Sequence, residues 1–201
     1  GLKWMVGDMW KPVRAGRARA DGRKAAKLAA RGFSSRDDAM EGPQGFVATH
    51  GGTESLEAAL AAPDGGWHLR YNLFKFHATC YGTHTAIEAA RHLRLQHALR
   101  PDDVRRVTVR VGAASKGVCN IADPRTGLEA KFSLRHTVAM ALAGVDTAAL
   151  DSFSDEAVHA PEVVALRERV QVKLAPQCPR RTLRAVVIDT PNGPRRPPKH
   201  H

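Results

Sequence analysis

Lysines, histidines and one cysteine stand at predicted helix starts, where their chemistry would be useful. Lys11 begins a predicted helix and so lies near the positive end of a helix dipole, where anions collect. Lys75, His77, Cys80 and His84 cluster around the start of another predicted helix. Such side chains can hold carboxylates and transfer protons. The pattern favours an anion site with acid–base groups, with an ordinary exposed Lys75 and a small buried Cys80 as the alternatives.

A second cation precedes a predicted helix further along the chain. Lys131 and the backbone donors of the helix that follows could bind a carboxylate, with Arg125 as a helper. The alternative is that Lys131 is an ordinary charged residue in a capping turn. Ser133 is interpreted as a helix cap rather than a nucleophile, because no Gly-x-Ser-x-Gly pattern surrounds it.

The spacing of His77, Cys80 and His84 also suggests a metal site as an alternative, with Cys119 as a fourth ligand. Structural zinc sites normally show more closely paired ligands than these. We therefore predict no metal.

Helical and extended segments alternate along the chain and must position these residues. Period-two alternation of Val107, Val109 and Val111 predicts a half-buried strand. Thr85 and Glu88 form a capping box. Helices are predicted at residues 15–30, 34–40, 54–61, 85–99, 133–143 and 161–167, and strands or extended segments at 68–76, 104–112, 170–174 and 183–188. The expected fold class is α+β, a small antiparallel or mixed sheet packed with helices on one face, with a tail after residue 190 that joins neither.

Composition excludes several classes of protein. The chain has 201 residues, 43% of them hydrophobic, which suits a folded domain. It has no apolar run of about 18 residues, so no membrane span is expected. The net charge of +11 is scattered and not interleaved with aromatic residues, so no nucleic-acid partner is predicted. Three cysteines, an odd number, indicate a reducing compartment, and a cytoplasmic location is expected.

Four stretches together resemble the MmgE/PrpD family, whose members include 2-methylcitrate dehydratase, cis-aconitate decarboxylase and iminodisuccinate epimerase. Their order and spacing over nearly the whole chain carry the resemblance, since each alone is only moderately specific. The stretches are KPVRAGRA at residues 11–18, GFS at 32–34 with AMEG at 39–42, KFHATCYGTH at 75–84 and PRTGLEAKFS at 124–133.

The resemblance implies that the chain is the C-terminal part of a lyase or isomerase for a small di- or tricarboxylic acid, without a cofactor. It implies a helical remnant of a larger all-α domain at residues 1–66, a smaller α+β domain at 67–190 and a tail at 191–201. The family's site lies between two domains, so further acid–base groups would be encoded elsewhere. A homodimer, or a partner chain carrying the missing N-terminal half, is expected, and activity of this chain alone is expected to be low.

The resemblance also assigns roles to residues of this sequence. Lys11 and Lys75 match active-site lysines, and we expect them at the rim of a shared anion-binding hollow. Arg14 stands where the family usually has a histidine, which keeps a cation but loses a group that titrates near neutrality. The predicted catalytic residues are Lys11, Lys75, Cys80 and His84, and the predicted substrate-binding residues are Arg14, His77, Arg125 and Lys131.

Overall fold

The computed structural model describes residues 9–51, 61–112, 117–175 and 183–197, the side chains of 68 and 183–185 excepted. By its internal contacts the chain divides into two compact units, Arg14–Phe74 and a second unit formed by Gly1–Val13 with Lys75–His201. The predicted domain boundaries at residues 66 and 190 stay predictions.

The regular structure described in the first unit is helical, with turns and irregular segments between the helices. Helix α1 spans Trp10–Ala29, and its residues from Arg14 onward belong to this unit. Helix α2 spans Phe46–His50. Alanine, lysine and arginine in α1 favour helix, and Gly32 follows its end at φ 83°. A 3-10 helix runs His68–Tyr71.

Three local predictions fall in this unit. The predicted helix at residues 34–40 is wrong, because the backbone forms turns there and the Arg36 guanidinium binds Asp38 with two contacts of 2.8 Å. The extended segment predicted at 68–76 is wrong at its start, where the 3-10 helix stands instead. The helix predicted at residues 54–61 lies almost wholly outside the described residues.

The second unit contains a four-stranded mixed sheet, which confirms the predicted α+β fold class. Strands β1, Arg106–Gly112, β2, Val170–Ala175, β3, Leu183–Thr190, and β4, Gly193–Arg195, follow the order β2-β1-β3-β4. The β1–β2 pair is parallel, whereas the β1–β3 and β3–β4 pairs are antiparallel. The prediction that residues after 190 join no sheet is wrong, because β4 pairs with β3. In the turn between these two strands, Thr190 Oγ1 donates to Gly193 O at 2.8 Å.

One face of this sheet carries the core. Val107, Val109 and Val111 are buried as their alternation predicts, each contributing about 1.5–3 kcal/mol of transfer free energy. Four helices accompany the sheet: α3, Tyr81–Gln96, α4, Gly127–Ala130, α5, Leu134–Ala143, and α6, Pro161–Glu168. Helix α3 packs on β3 and on α5, while α5 packs on β2 and α6. No described helix is long and apolar enough to cross a membrane.

The ends of α5 confirm the sequence prediction. Ser133 Oγ accepts the His136 N–H at 3.1 Å, and Gly144 ends the helix at φ 82°, in the left-handed region that favours glycine. Helix α3, in contrast, begins four residues before the predicted Thr85 capping box. Its N-cap is Cys80, and Glu88 contacts His77 instead of the helix start.

Candidate functional site

The start of α3 is held between two other segments of the second unit. The Ala78 N–H donates to Thr147 O and the Cys80 N–H donates to Lys131 O, both at 2.9 Å. Thr83 Oγ1 donates to Cys80 O at 2.8 Å and lies 2.8 Å from Thr79 Oγ1. These bonds fix the backbone on both sides of the Cys80 side chain.

Two of the predicted lysines lie within electrostatic range of Cys80. Lys75 is exposed, and its Nζ donates to Thr79 O at 3.0 Å. Lys11 Nζ lies 4.3 Å from the centre of the Phe132 ring, a cation–π contact. Both ammonium groups lower the pKa of the Cys80 thiol through their charge. The structure thus brings Lys11, Lys75 and Cys80 together, while the hollow expected between the lysines stays a prediction.

The larger influence on Cys80 is a second cysteine. A hydrogen bond from the Cys119 thiol is the main cause that lowers the pKa of Cys80 to about 6, and the Gly82 N–H in the first turn of α3 adds to it. The same contact, with burial, raises the pKa of Cys119. Gly82 leaves room for this approach, because a Cβ there would lie 3.0 Å from Cys119 Sγ.

His84 stands in the first turn of α3, next to His77. Burial lowers the pKa of His84, and the nearby His77 and Lys75 lower it further, against carbonyl contacts from Thr79 and His77 that raise it. The two imidazole rings meet edge to face with centres 4.9 Å apart. The His84 Nε2 is buried and has no hydrogen-bond partner among the described residues. This imidazole is therefore held neutral at pH 7.

His77 is held through Nδ1 and lines a cleft of about 390 Å³. Its Nδ1 lies 2.8 Å from Thr147 Oγ1, and its Nε2 lies 3.0 Å from Glu88 Oε1. The second contact is close but poorly aligned, since Nε2 makes no hydrogen bond within the described chain. Arg91 and Arg94 of α3 line the same cleft. His77 therefore lies between the His84 ring and a cleft that two arginines and two carboxylates, Glu88 and Asp146, line together.

The remaining predicted residues have different surroundings. Lys131 Nζ lies 5.4 Å from the centre of the Phe153 ring, and its carbonyl holds Cys80. Arg125 is exposed, with its backbone bound by Glu129 and His159. No described contact joins the Lys131 and Arg125 side chains. Arg14 belongs to the helical unit. The roles assigned to all eight residues stay predictions.

Sequence reasoning missed the partners that shape this site. Cys119 was considered only as a metal ligand, and Thr147 and Glu88 were not linked to His77. No local pattern connects these residues, because the contacts span long stretches of chain. The one usable signal is Gly82, whose missing side chain permits a close approach. Among the described residues, no group of three His, Cys, Asp or Glu side chains could hold a metal ion.

The arrangement can bind an anion between cations and can exchange protons through a thiol and a neutral imidazole. A family model described as the MmgE/PrpD C-terminal domain matches residues 77–197, which span α3, the sheet and the cysteine pair. No curated protein matches the chain.

Proposed function

Because the chain belongs to the MmgE/PrpD family through its C-terminal domain, we propose that it contributes to a hydro-lyase site for a small di- or tricarboxylic acid such as 2-methylcitrate. The observation that carries the proposal is that two lysines lie beside the start of α3. Lys75 Nζ donates to Thr79 O, next to Cys80, and Lys11 Nζ lies over the ring of Phe132, which follows the residue whose carbonyl holds Cys80. Two cations from distant parts of the chain give a polycarboxylate more than one anchor. The lysines bind the substrate and orient it in this proposal.

Dehydration begins when a base removes a proton from the carbon next to a carboxylate. The charge that develops on that carboxylate is offset by Lys11 and Lys75. The C–H electron pair then forms the double bond while the neighbouring hydroxyl leaves as water, for which it needs a proton. His84 is our candidate base because it is neutral, and its imidazolium then carries the abstracted proton to the leaving hydroxyl. Cys80, which is held as a thiolate, is a second candidate base. Nε2 of His84 is covered by protein atoms, so substrate binding must rearrange its surroundings.

An alternative within the same family is a decarboxylase or an isomerase. Both reactions also develop negative charge next to a carboxylate, so they need the same cations. They differ from dehydration in what leaves the substrate. Products formed from 2-methylcitrate, cis-aconitate and an epimerisable amino-diacid separate the three reactions.

A second candidate function is an interaction module that needs a partner chain to complete the site. In the segment 67–76, the large apolar side chains are 63–91% exposed. Surfaces of this kind are typical of protein interfaces. We propose that a helical partner, or a second copy of the chain, covers this segment. The exposed residues are Trp67, Leu69, Tyr71, Leu73, Phe74 and Phe76.

Calorimetric titration of the full chain with 2-methylcitrate, citrate and cis-aconitate tests the anion site. Replacing Lys75 or Lys11 by Met is expected to weaken binding by about tenfold, since each removes one charge-assisted contact. Lys173→Met is the matched control, because Lys173 is an exposed lysine on β2. Equal affinities in all three variants would remove the proposal.

Turnover measurements distinguish a chain that is catalytically active alone from one that needs a partner chain to complete the site. We expect the purified chain alone to convert these acids slowly, because part of the site is supplied by another chain. Sedimentation of the purified chain reports whether it self-associates. Monomeric chain with rapid turnover would contradict the need for a partner, while the binding results above would still decide whether the anion site exists.

A further inference from the structure

Cys80 and Cys119 are held together by one segment of backbone. The Cys80 N–H donates to Lys131 O at 2.9 Å, and Cys119 O accepts the Leu134 N–H at 2.9 Å. Ser133 also forms an isolated antiparallel β-bridge with Asn120, the residue after Cys119. Both cysteines are therefore attached to residues 131–134. Cys119 Sγ lies beside Gly82, in the first turn of the helix whose N-cap is Cys80.

The two thiols differ in access and in charge. Cys80 is half-buried, whereas Cys119 is buried. Lys11, Lys75 and the Gly82 N–H stabilise a thiolate on Cys80, and the Cys119 thiol donates to it. An oxidant from solvent therefore meets Cys80 first, in its nucleophilic form, with a second thiol directly behind it.

We propose that Cys80 and Cys119 form an oxidant-sensitive pair, in which a peroxide attacks Cys80 and Cys119 resolves the product into an intramolecular disulfide. This modification goes beyond the proposed acid chemistry and does not depend on it. A single sulfur in an anion site would need no such partner. The position of Cys119 Sγ beside Gly82, two residues from Cys80, distinguishes the pair from a small buried cysteine that stands alone.

The reaction balances in two steps with hydrogen peroxide. The Cys80 thiolate attacks one peroxide oxygen, forming an S–O bond and breaking the O–O bond, which gives a sulfenic acid and hydroxide. The Cys119 sulfur then displaces the hydroxyl, forming the S–S bond, and its proton leaves with that oxygen as water. The hydroxide takes up the proton that Cys80 released when it ionised, so two thiols and one peroxide give one disulfide and two molecules of water.

The disulfide would remove the thiol from beside Lys11 and Lys75. It would also tie the N-terminus of α3 to the segment that carries Cys119, which lies outside any helix or strand. The oxidised protein would therefore carry a neutral group where the reduced protein carries a thiolate. The candidate anion site and the thiol pair share Cys80, so oxidation is expected to change anion binding there.

Peptide mapping of the full chain tests the pair directly. The chain is treated with equimolar hydrogen peroxide, alkylated in denaturant and digested with trypsin. Cys80, Cys119 and Cys178 then fall on separate peptides, residues 76–91, 117–125 and 174–180. We expect a disulfide between the first two peptides, with Cys178 alkylated. A link to Cys178, a link between chains, or full alkylation of all three cysteines would overturn the proposal.

Cysteine variants distinguish the attacking thiol, Cys80, from the resolving thiol, Cys119. Cys119→Ser is expected to accumulate a sulfenic acid on Cys80 that dimedone traps, because the resolving thiol is missing. Cys80→Ser is expected to slow the oxidation of Cys119 by about tenfold or more, since the buried thiol loses its activated partner. Cys178→Ser serves as the control and should oxidise like the parent chain. Unchanged Cys119 oxidation in Cys80→Ser would overturn the assignment, and circular dichroism checks that each variant is folded.

Discussion

His77 Nδ1 lies 2.8 Å from Thr147 Oγ1, a buried contact that joins the segment before α3 to the loop after α5. The Ala78 N–H donates to the carbonyl of the same threonine at 2.9 Å. Thr147 thus holds the approach to the candidate site with both its side chain and its backbone. This pairing determines where the His77 imidazole stands between Glu88 and the His84 ring.

Replacing Thr147 by Val should lower the free energy of unfolding by about 1–3 kcal/mol, because the buried His77 nitrogen loses its partner. Urea denaturation measures the change. Thr108→Val is the matched control, since Thr108 is half-exposed on β1, and it should alter stability by less than about 0.5 kcal/mol. A Thr147→Val chain as stable as the parent would show that this contact contributes little.

The sequence predicts those parts of the fold that local chemistry decides. The alternation of Val107, Val109 and Val111 places them in the core whatever the neighbouring strands are. Ser133 and Gly144 mark the ends of α5 because a cap acts within one helical turn. The prediction that Lys11 stands at the start of a helix is also confirmed, although α1 begins at Trp10, before the predicted start at residue 15.

Long-range contacts decide the rest. Helix α3 begins at Tyr81 rather than at the Thr85 capping box, since Lys131 O holds the Cys80 N–H at that point. The short strand β4 exists through pairing with β3, and its sequence does not signal it, because Gly193 and Pro194 are residue types depleted in strands. The Cys80–Cys119 contact likewise depends on the third segment that both residues bind.

Gly127→Ala should destabilise the protein by about 3 kcal/mol or more, because an added Cβ would overlap the backbone carbonyl of Phe153. Backbone atoms cannot move aside as a flexible side chain could. The Gly127 N–H also binds Asp155 Oδ1 at 2.8 Å, which fixes its position. Thermal and urea unfolding measure the loss. Gly117→Ala is the control, with open space around the new methyl group, and equal stability of the two variants would contradict the crowding argument.

His136 should make the protein less stable in mild acid. Burial lowers its pKa to about 4, helped by the charges of Arg167 and His159. An unfolded histidine titrates near 6.5, so between these values the unfolded state binds a proton that the folded state does not. Stability from this residue is therefore complete above about pH 6.5 and falls as pH decreases toward 4, by at most about 3 kcal/mol.

The measurement is the free energy of unfolding at several values of pH for the parent and for His136→Leu. The variant should lose the part of the acid sensitivity that lies between pH 6.5 and 4, because Leu binds no proton. His92→Leu is the control, since His92 is exposed on α3 and should leave the pH dependence unchanged. Identical pH curves for His136→Leu and the parent would mean that another group is responsible.

Cys80 should react with iodoacetamide well below the pH at which an ordinary thiol does, because Cys119 and the Gly82 N–H favour its thiolate. The rate is followed against pH in a Cys178→Ser background, so that Cys80 is the accessible thiol. Cys119→Ala removes the donor, and the half-maximal rate should move up toward the pH typical of free cysteine. Cys119→Ser keeps a hydroxyl donor and should hold the midpoint low. If the Ala and Ser variants titrate alike, the hydrogen bond from Cys119 is not what activates Cys80, and the nearby lysines and the helix terminus must carry the effect instead.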